Sequence, residues 1–239
     1  SSTASGGLVV NIFNGVGTVN ITDTVAETVV LSLLDVAPDP TPLTLTTSNL
    51  VFAAGSLHHF TFDSISTQAA GTPFVVTITA RDRYGNTAST FTSTADLAVN
   101  DGAVSPTITG AFAAGVATPS VTITAAGANK AITATRTGGT ETGQSAAFTV
   151  NAGPTAKYLL NNPGDLTVGT RIGYVVTRKD ALDNLVLAGT DTAYLYSNSA
   201  PTHAFFDAAA AGNQITSIAI PNGQSQASFW YYDDNVGTS

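Results

Sequence analysis

A carboxylate followed four residues later by an amide occurs twice in this chain, as Asp82 and Asn86 in "RDRYGN" and as Asp180 and Asn184 in "KDALDN". Side-chain oxygens of this kind are what a hard cation takes as ligands, and Ca2+ needs about six to eight of them. The spacing supplies too few alone, so such a calcium site would lie between consecutive modules and draw on both. The same residue types also close an Asx-type turn, in which side-chain oxygens accept backbone N–H groups. Gly85 would then provide the positive φ that the turn requires. "YYDDN" (Tyr231 to Asn235) is a second oxygen-rich stretch open to the same two readings.

Other chemistry-bearing residues are sparse. "SFWYY" holds the single tryptophan, and alternation along a strand puts Phe229 and Tyr231 on one side and Trp230 and Tyr232 on the other. One pair belongs in a core; Trp230 and Tyr232 are then candidates for sugar stacking or a protein interface. His58 and His59 are adjacent, and alternate facing is expected to separate their imidazoles, while His203 stands alone in sequence. Asp23 in "DTV" and Asp191 in "DTA" lack the glycine of an aspartic-protease loop. No G-x-S-x-G elbow, Walker loop or dinucleotide fingerprint occurs. Lys157 sits in a first strand where a Lys–Asn isopeptide crosslink would begin, but a partner in a last strand is missing. No catalytic constellation is expected.

The elements that must carry these residues are strands. "VVTITA", "SVTITA", "KAITAT", "AAFTV", "TVVLSLL" and "ASFWYY" are short and rich in β-branched and aromatic residues. Gly, Asn, Asp and Pro punctuate them in "NGVG", "RYGN", "TGGT", "NNPGD" and "PNG". "FFDAAAAGN" (Phe205 to Asn213) reads as a loop or a single turn. The two Asp/Asn pairs are separated by 98 residues, and at that offset Phe60 falls on Tyr158, Leu97 on Leu195, and "FAAGS" on "VNAGP". Further along, "AGVATPSV" meets "NGQSQASF" only after about ten inserted residues, and "NGVGTVNITDT" near the start is a looser third copy.

A unit of roughly 100 residues built of short strands is the size of an immunoglobulin-like sandwich. The expected class is all-β, with tandem immunoglobulin-like Greek-key sandwiches. Residues 1–54 read as the last strands of one unit, 55–152 as a complete unit, and 153–239 as a unit without its closing strands. An orphan hairpin at one end and an unclosed sandwich at the other expose unpaired edges. Three arrangements would relieve them: a longer tandem array, head-to-tail strand addition between copies, or a meeting of the two ends within one chain.

Composition narrows the function classes. Charged residues make up 10% of the chain and hydrophobic residues 43%, which excludes low-hydrophobicity disorder. The net charge of −8 argues against nucleic-acid binding. All eight Lys and Arg lie between positions 81 and 179, flanked by purely acidic ends that could steer copies together. No apolar run is long enough for a membrane helix, and a leader peptide is expected to be absent or removed. With neither Cys nor Met, the chain has no disulfides and little for oxidants to attack, which suits an exposed surface protein.

The run "VTITARDRYGN", then "AAGVATPSVTITAAGANKAITAT", then "FTV" resembles the bacterial immunoglobulin-like (Big) repeats of invasin- and intimin-type adhesins and surface-layer proteins. The resemblance covers 55–152 well, 153–239 moderately, and 1–54 in its strand endings. It implies a Greek-key sandwich in a tandem array on a prokaryotic exterior, serving as spacer or adhesive module without catalysis. Asp183 departs from the pattern, standing where Gly85 is in the preceding unit. The expectation is therefore a non-catalytic structural protein forming a filament, stalk or layer, with calcium and a glycan or cell-surface ligand as additional candidates. The alternative is a carbohydrate-binding accessory module of a secreted hydrolase.

Overall fold

The computed structural model describes residues 5–6, 10–33, 46–165, 167–199 and 202–235, and among these every regular element is a strand. The first segment contains β1 (Ser5–Gly6), β2 (Ile21–Thr22), β3 (Thr28–Ser32) and β4 (Thr47–Val51). Strands β3 and β4 form an antiparallel hairpin in which Val29 faces Leu50 and Leu31 faces Ser48. Its alternation is the expected one: Val29, Leu31, Leu50 and Phe52 are half-buried, while Thr28, Val30, Ser32, Asn49 and Val51 are exposed.

The next twelve strands build a two-layer sandwich. They are β5 (His59–Phe62), β6 (Gln68–Ala69), β7 (Phe74–Val75), β8 (Ile78–Arg81), β9 (Ala95–Val99) and β10 (Val104–Ser105), followed by β11 (Val116–Ala117), β12 (Ser120–Ile123), β13 (Gly127–Lys130), β14 (Ile132–Arg136), β15 (Thr142–Gln144) and β16 (Phe148–Asn151). One layer has the orders β5-β8-β11 and β7-β12-β10; the other has β9-β14-β15 and β6-β16-β13. Strand β6 runs parallel to β16, and the remaining pairs are antiparallel. Consecutive strands thus cross between layers in the manner of an immunoglobulin-like Greek key.

Period-two patterning fills the space between the layers. Phe60, Val76, Ile78 and Ala80 from one side meet Leu97, Ile132, Ala134, Phe148 and Val150 from the other, each no more than 6% exposed. Phe60, Phe91 and Phe112 pack ring against ring at one end of this core. Gly143 allows β15 to cross β5 at backbone contact, since a Cβ there would overlap the Phe60 carbonyl.

The third unit repeats half of this plan. It comprises β17 (Lys157–Leu160), β18 (Arg171–Lys179), β19 (Asp191–Tyr194), β20 (His203–Phe206), β21 (Gln214–Ile215), β22 (Ser217–Ile220) and β23 (Gln226–Asp233). A five-stranded sheet of order β17-β18-β23-β20-β21 stands for the first layer, and of the second layer there is only β19 paired with β22. Among the described residues no strand takes the places of β14 and β15 beside β19, and none takes those of β13 and β16.

The inserted residues are now located. They form the β20–β21 hairpin, in which Asp207 accepts hydrogen bonds from Asn213 through backbone and side chain. This corrects the reading of Phe205 to Asn213 as a loop throughout. Phe205 and Phe206 belong to β20, held by pairing with Tyr231 and Trp230, and only the alanine run bends.

Candidate functional site

Each Asp/Asn pair sits at the junction between two units, and the junction is made of hydrogen bonds. Asp82 is 1% exposed, and its Oδ1 accepts the N–H groups of Tyr84 and Asn86 at 2.8 and 2.9 Å. Its Oδ2 accepts the N–H of Gly55 at 2.9 Å and the Asn86 side-chain amide at 3.0 Å. Gly55 lies in the segment leading out of the β3–β4 hairpin, so this carboxylate ties the turn to the linker. Asn86 then reaches the other way. Its Nδ2 donates to the Thr24 carbonyl at 2.8 Å and its Oδ1 accepts the Ala26 N–H at 3.0 Å.

The second junction repeats the first atom for atom. Asp180 accepts from Leu182 and Asn184 on Oδ1 and from Gly153 and the Asn184 amide on Oδ2. Asn184 donates to Thr124 at 2.9 Å and accepts from Ala126 at 2.9 Å. Asp183 replaces Gly85 without changing the turn, because both hold a positive φ (70° and 89°). Aspartate is among the few side chains that tolerate this region. Its outward carboxylate pairs with Lys157 at 2.7 Å.

Electrostatics follow the donors. Burial alone would raise the pKa of Asp82; hydrogen bonds from the Asn86 side chain and from the backbone of Gly55, Asn86 and Tyr84 outweigh it and bring it down to about 2. Burial opposes the shift at Asp180 as well, and the equivalent four donors again lower it. These carboxylates are ionised and saturated. The fit to calcium is poor for the same reason: a cation needs bare oxygens, and here N–H groups point at all four carboxylate oxygens. Among the described residues no cluster of three or more His, Asp or Glu is arranged to hold a metal.

The aromatic strand divides as alternation requires. Phe229 is 2% exposed, and it stacks on Tyr174 with centroids 5.6 Å apart and meets Phe205 at 5.8 Å. Tyr231 shares that side, donating to Asp233 Oδ2 at 2.6 Å and bonded to Ser197 at 2.8 Å. Trp230 and Tyr232 lie on the opposite, half-buried face. There the indole rests over Gly173, while Arg171, facing Tyr232 across the strands, stacks on Phe206 with its guanidinium 3.4 Å from the ring centre.

The inner face of the third unit opens into a groove of about 620 Å³, lined by Tyr158, Leu160, Tyr174, Leu195, Phe229 and Tyr231 among others. These are core positions one repeat on. Phe60 is 2% exposed in the middle unit, whereas Tyr158 in the equivalent place is 43% exposed. Tyr194 and Tyr196 also border it, at 84% and 88% exposure.

One expectation is overturned. The imidazoles of His58 and His59 are not separated: their Nδ1 atoms are 3.3 Å apart and the rings meet edge to face at 5.5 Å. His58 precedes the strand, so pleat alternation does not govern it. His203 packs against Phe205 and Tyr231.

Two features escaped the sequence reading. The junction glycines Gly55 and Gly153, each 27 residues before its aspartate, are clamp partners; their repetition in "FAAGS" and "VNAGP" was the available signal. Arg178, fully buried, had none. It replaces Ala80 and donates to the carbonyls of Val186, Leu187, Gly189 and Gln224 and to Asp191 Oδ2 at 3.2 Å.

Comparison with known proteins gives no matching family model and no matching curated protein. Its structural neighbours are adhesin and surface-layer domains. The Yersinia pseudotuberculosis adhesin InvE aligns with a TM-score of 0.37 and 17% identity over 74% of this chain and 51% of its own. Domains 4–9 of the surface layer protein SbsC give 0.31 and 17% over 92% of this chain and 32% of theirs. The D0–D1 domain of intimin gives 0.31 and 16% over 76% and 87%. The chain thus spans about half of the InvE structure and a third of the SbsC one.

Proposed function

We propose that this chain is a non-catalytic structural or adhesive element of a prokaryotic cell exterior, with tandem immunoglobulin-like units over 1–54, 55–152 and 153–239 forming part of a filament, stalk or layer. The observation that carries this reading is the duplicated junction. A buried carboxylate bonds the outgoing linker, and an adjacent amide grips the loop of the preceding unit from the side. Two attachments per joint restrict bending as well as separation, which is what a spacer must do. Asp82, Asn86, Asp180 and Asn184 act in this reading as mechanical clamps, not as calcium ligands.

Small-angle scattering tests it directly. Asn86→Ala and Asn184→Ala each remove the sideways grip while leaving Asp82 or Asp180 its backbone donors. Both should broaden the distribution of interdomain distances, and neither added Ca2+ nor chelator should alter the wild-type profile. Unchanged scattering in both variants would dismiss the clamp. A calcium-dependent profile would return the metal reading.

A second reading rests on the Trp230 face. An indole lying over a glycine, flanked by Phe206 stacked on Arg171 and by Tyr232, is a flat aromatic shelf of the kind that takes a sugar ring. Retention on immobilised glycans that disappears with Trp230→Ala would support the accessory-module alternative; no retention on any glycan would remove it.

A further inference from the structure

We propose that the groove of the third unit is the docking site for the β3–β4 hairpin of a second copy of this chain, so that copies join head to tail. The inference rests on the modular reading above and specifies its partner and register.

The hairpin is the counterpart of the strands that the groove lacks. In the middle unit Gly127 faces Val150 and, past a bulge, Lys130 faces Phe148. In the first segment the Phe52 N–H bonds the Glu27 carbonyl at 2.8 Å, and Val29 faces Leu50. The approach is conserved as well. A tight turn bridges Phe13 to Val16 in the first segment and Ala113 to Val116 in the middle unit, with Asn14 and Ala114 both at positive φ. Hence Leu31 and Leu33 occupy the places of Ile132 and Ala134, and Leu50 and Phe52 those of Phe148 and Val150. Four core-forming residues of the middle unit thereby become four large apolar ones, and Leu33 is 63% exposed in the isolated chain.

The groove offers the matching half. Val76, Ile78, Leu97 and Val121, which Ile132, Ala134, Phe148 and Val150 cover in the middle unit, correspond to Tyr174, Val176, Leu195 and Phe229. β19 has β22 on one side only, leaving its other edge without a strand among the described residues. In the middle unit Leu97 of β9 faces Ala134 of β14. The register therefore sets Leu195 of one copy opposite Leu33 of the next. The segment leading into the donor hairpin is redundant in this arrangement, because β23 already holds its place and leaves it outside the sandwich.

Continuity of the joint fixes the choice of a second copy. The hairpin is already clamped to its own middle unit through Gly55, Thr24 and Ala26, as the segment after β16 and the β12–β13 loop are clamped to the third unit through Gly153, Thr124 and Ala126. Seating it in the groove of another copy reproduces between molecules the same connection that the chain makes within itself.

The absence of cysteine makes the register directly testable in this chain. Facing residues of an antiparallel pair lie within disulfide reach. Leu33→Cys combined with Leu195→Cys should give, under mild oxidation, a ladder of covalent oligomers on non-reducing gels. Leu33→Cys with Thr192→Cys, an exposed position of β19 outside the groove lining, should not. Light scattering of the unmodified chain should show mass rising with concentration, and Leu33→Asp, at an exposed position, should return it to monomer. Limited proteolysis on the same samples reads the modular plan separately, as a resistant core of about 100 residues whatever the oligomeric state. A strict monomer at concentrations on the order of 100 µM with that core intact would overturn the docking while leaving the modules standing. A crosslink confined to monomers would place the hairpin in its own groove and overturn it equally. Loss of the resistant core would instead defeat the modular reading.

Discussion

Asp82→Asn is the sharpest single test of the junction. The substitution keeps size and shape and removes only the charge and one oxygen. Whichever way the amide turns, its NH2 must face two N–H donors, either those of Tyr84 and Asn86 or those of Gly55 and the Asn86 side chain. Two hydrogen bonds to a charged acceptor are lost at about 1.5–3 kcal/mol each, giving a cost of at least ~3 kcal/mol. For a unit of this size each kcal/mol lowers the melting temperature by roughly 4–8 °C, so a drop of about 12 °C or more is expected in calorimetry at pH 7. The pH dependence follows from the same bonds. Because folding lowers the Asp82 pKa to about 2 from an ordinary 3.8, the stabilisation is complete above the ordinary value and disappears as pH falls toward 2. The gap between wild type and variant should therefore close on acidification through that window. A variant melting within a degree of wild type at neutral pH, or a gap that persists unchanged at pH 2, would refute the reasoning.

Other substitutions probe the remaining architecture. Arg178→Ala leaves the carbonyls of Val186, Leu187, Gly189 and Gln224 without their buried donor, while the part-exposed Asp191 keeps Thr155, so the third unit should lose about 3 kcal/mol while the middle unit melts as before, resolved as separate calorimetric transitions. Lys130→Met should be tolerated within about 1 kcal/mol by urea denaturation: the lysine is buried, but its partner Asp101 is 73% exposed and returns to water unharmed. Gly143→Ala forces a methyl group into the Phe60 carbonyl, a backbone atom that cannot swing aside, and should cost the middle unit about 2 kcal/mol or more in the same assay.

Much of the fold was legible because strands in a half-buried layer must alternate and repeats must keep their turns. The paired Asp/Asn turns, the 98-residue offset and the two faces of Phe229–Tyr232 all follow from such local rules. Contacts made across long sequence distances were not. Nothing local in "TDTVAE" marks Thr24 and Ala26 as the grip of Asn86, since they contribute only backbone atoms. Arg178 shares the inward face of β18 with Val176, where a charge is not expected, and only the distant loops of Val186–Gly189 and Gln224 supply its acceptors. The His58–His59 contact failed for the opposite reason, through applying alternation where the strand had not begun.

The grip of Asn86 and Asn184 on main-chain atoms alone has a consequence for lineage. A fastener indifferent to the side chains it holds lets neighbouring beads diverge freely without losing their coupling. Arrays joined this way can lengthen by duplication, shuffle their members and drift apart in sequence, while every newly adjacent pair still offers the same main-chain partners.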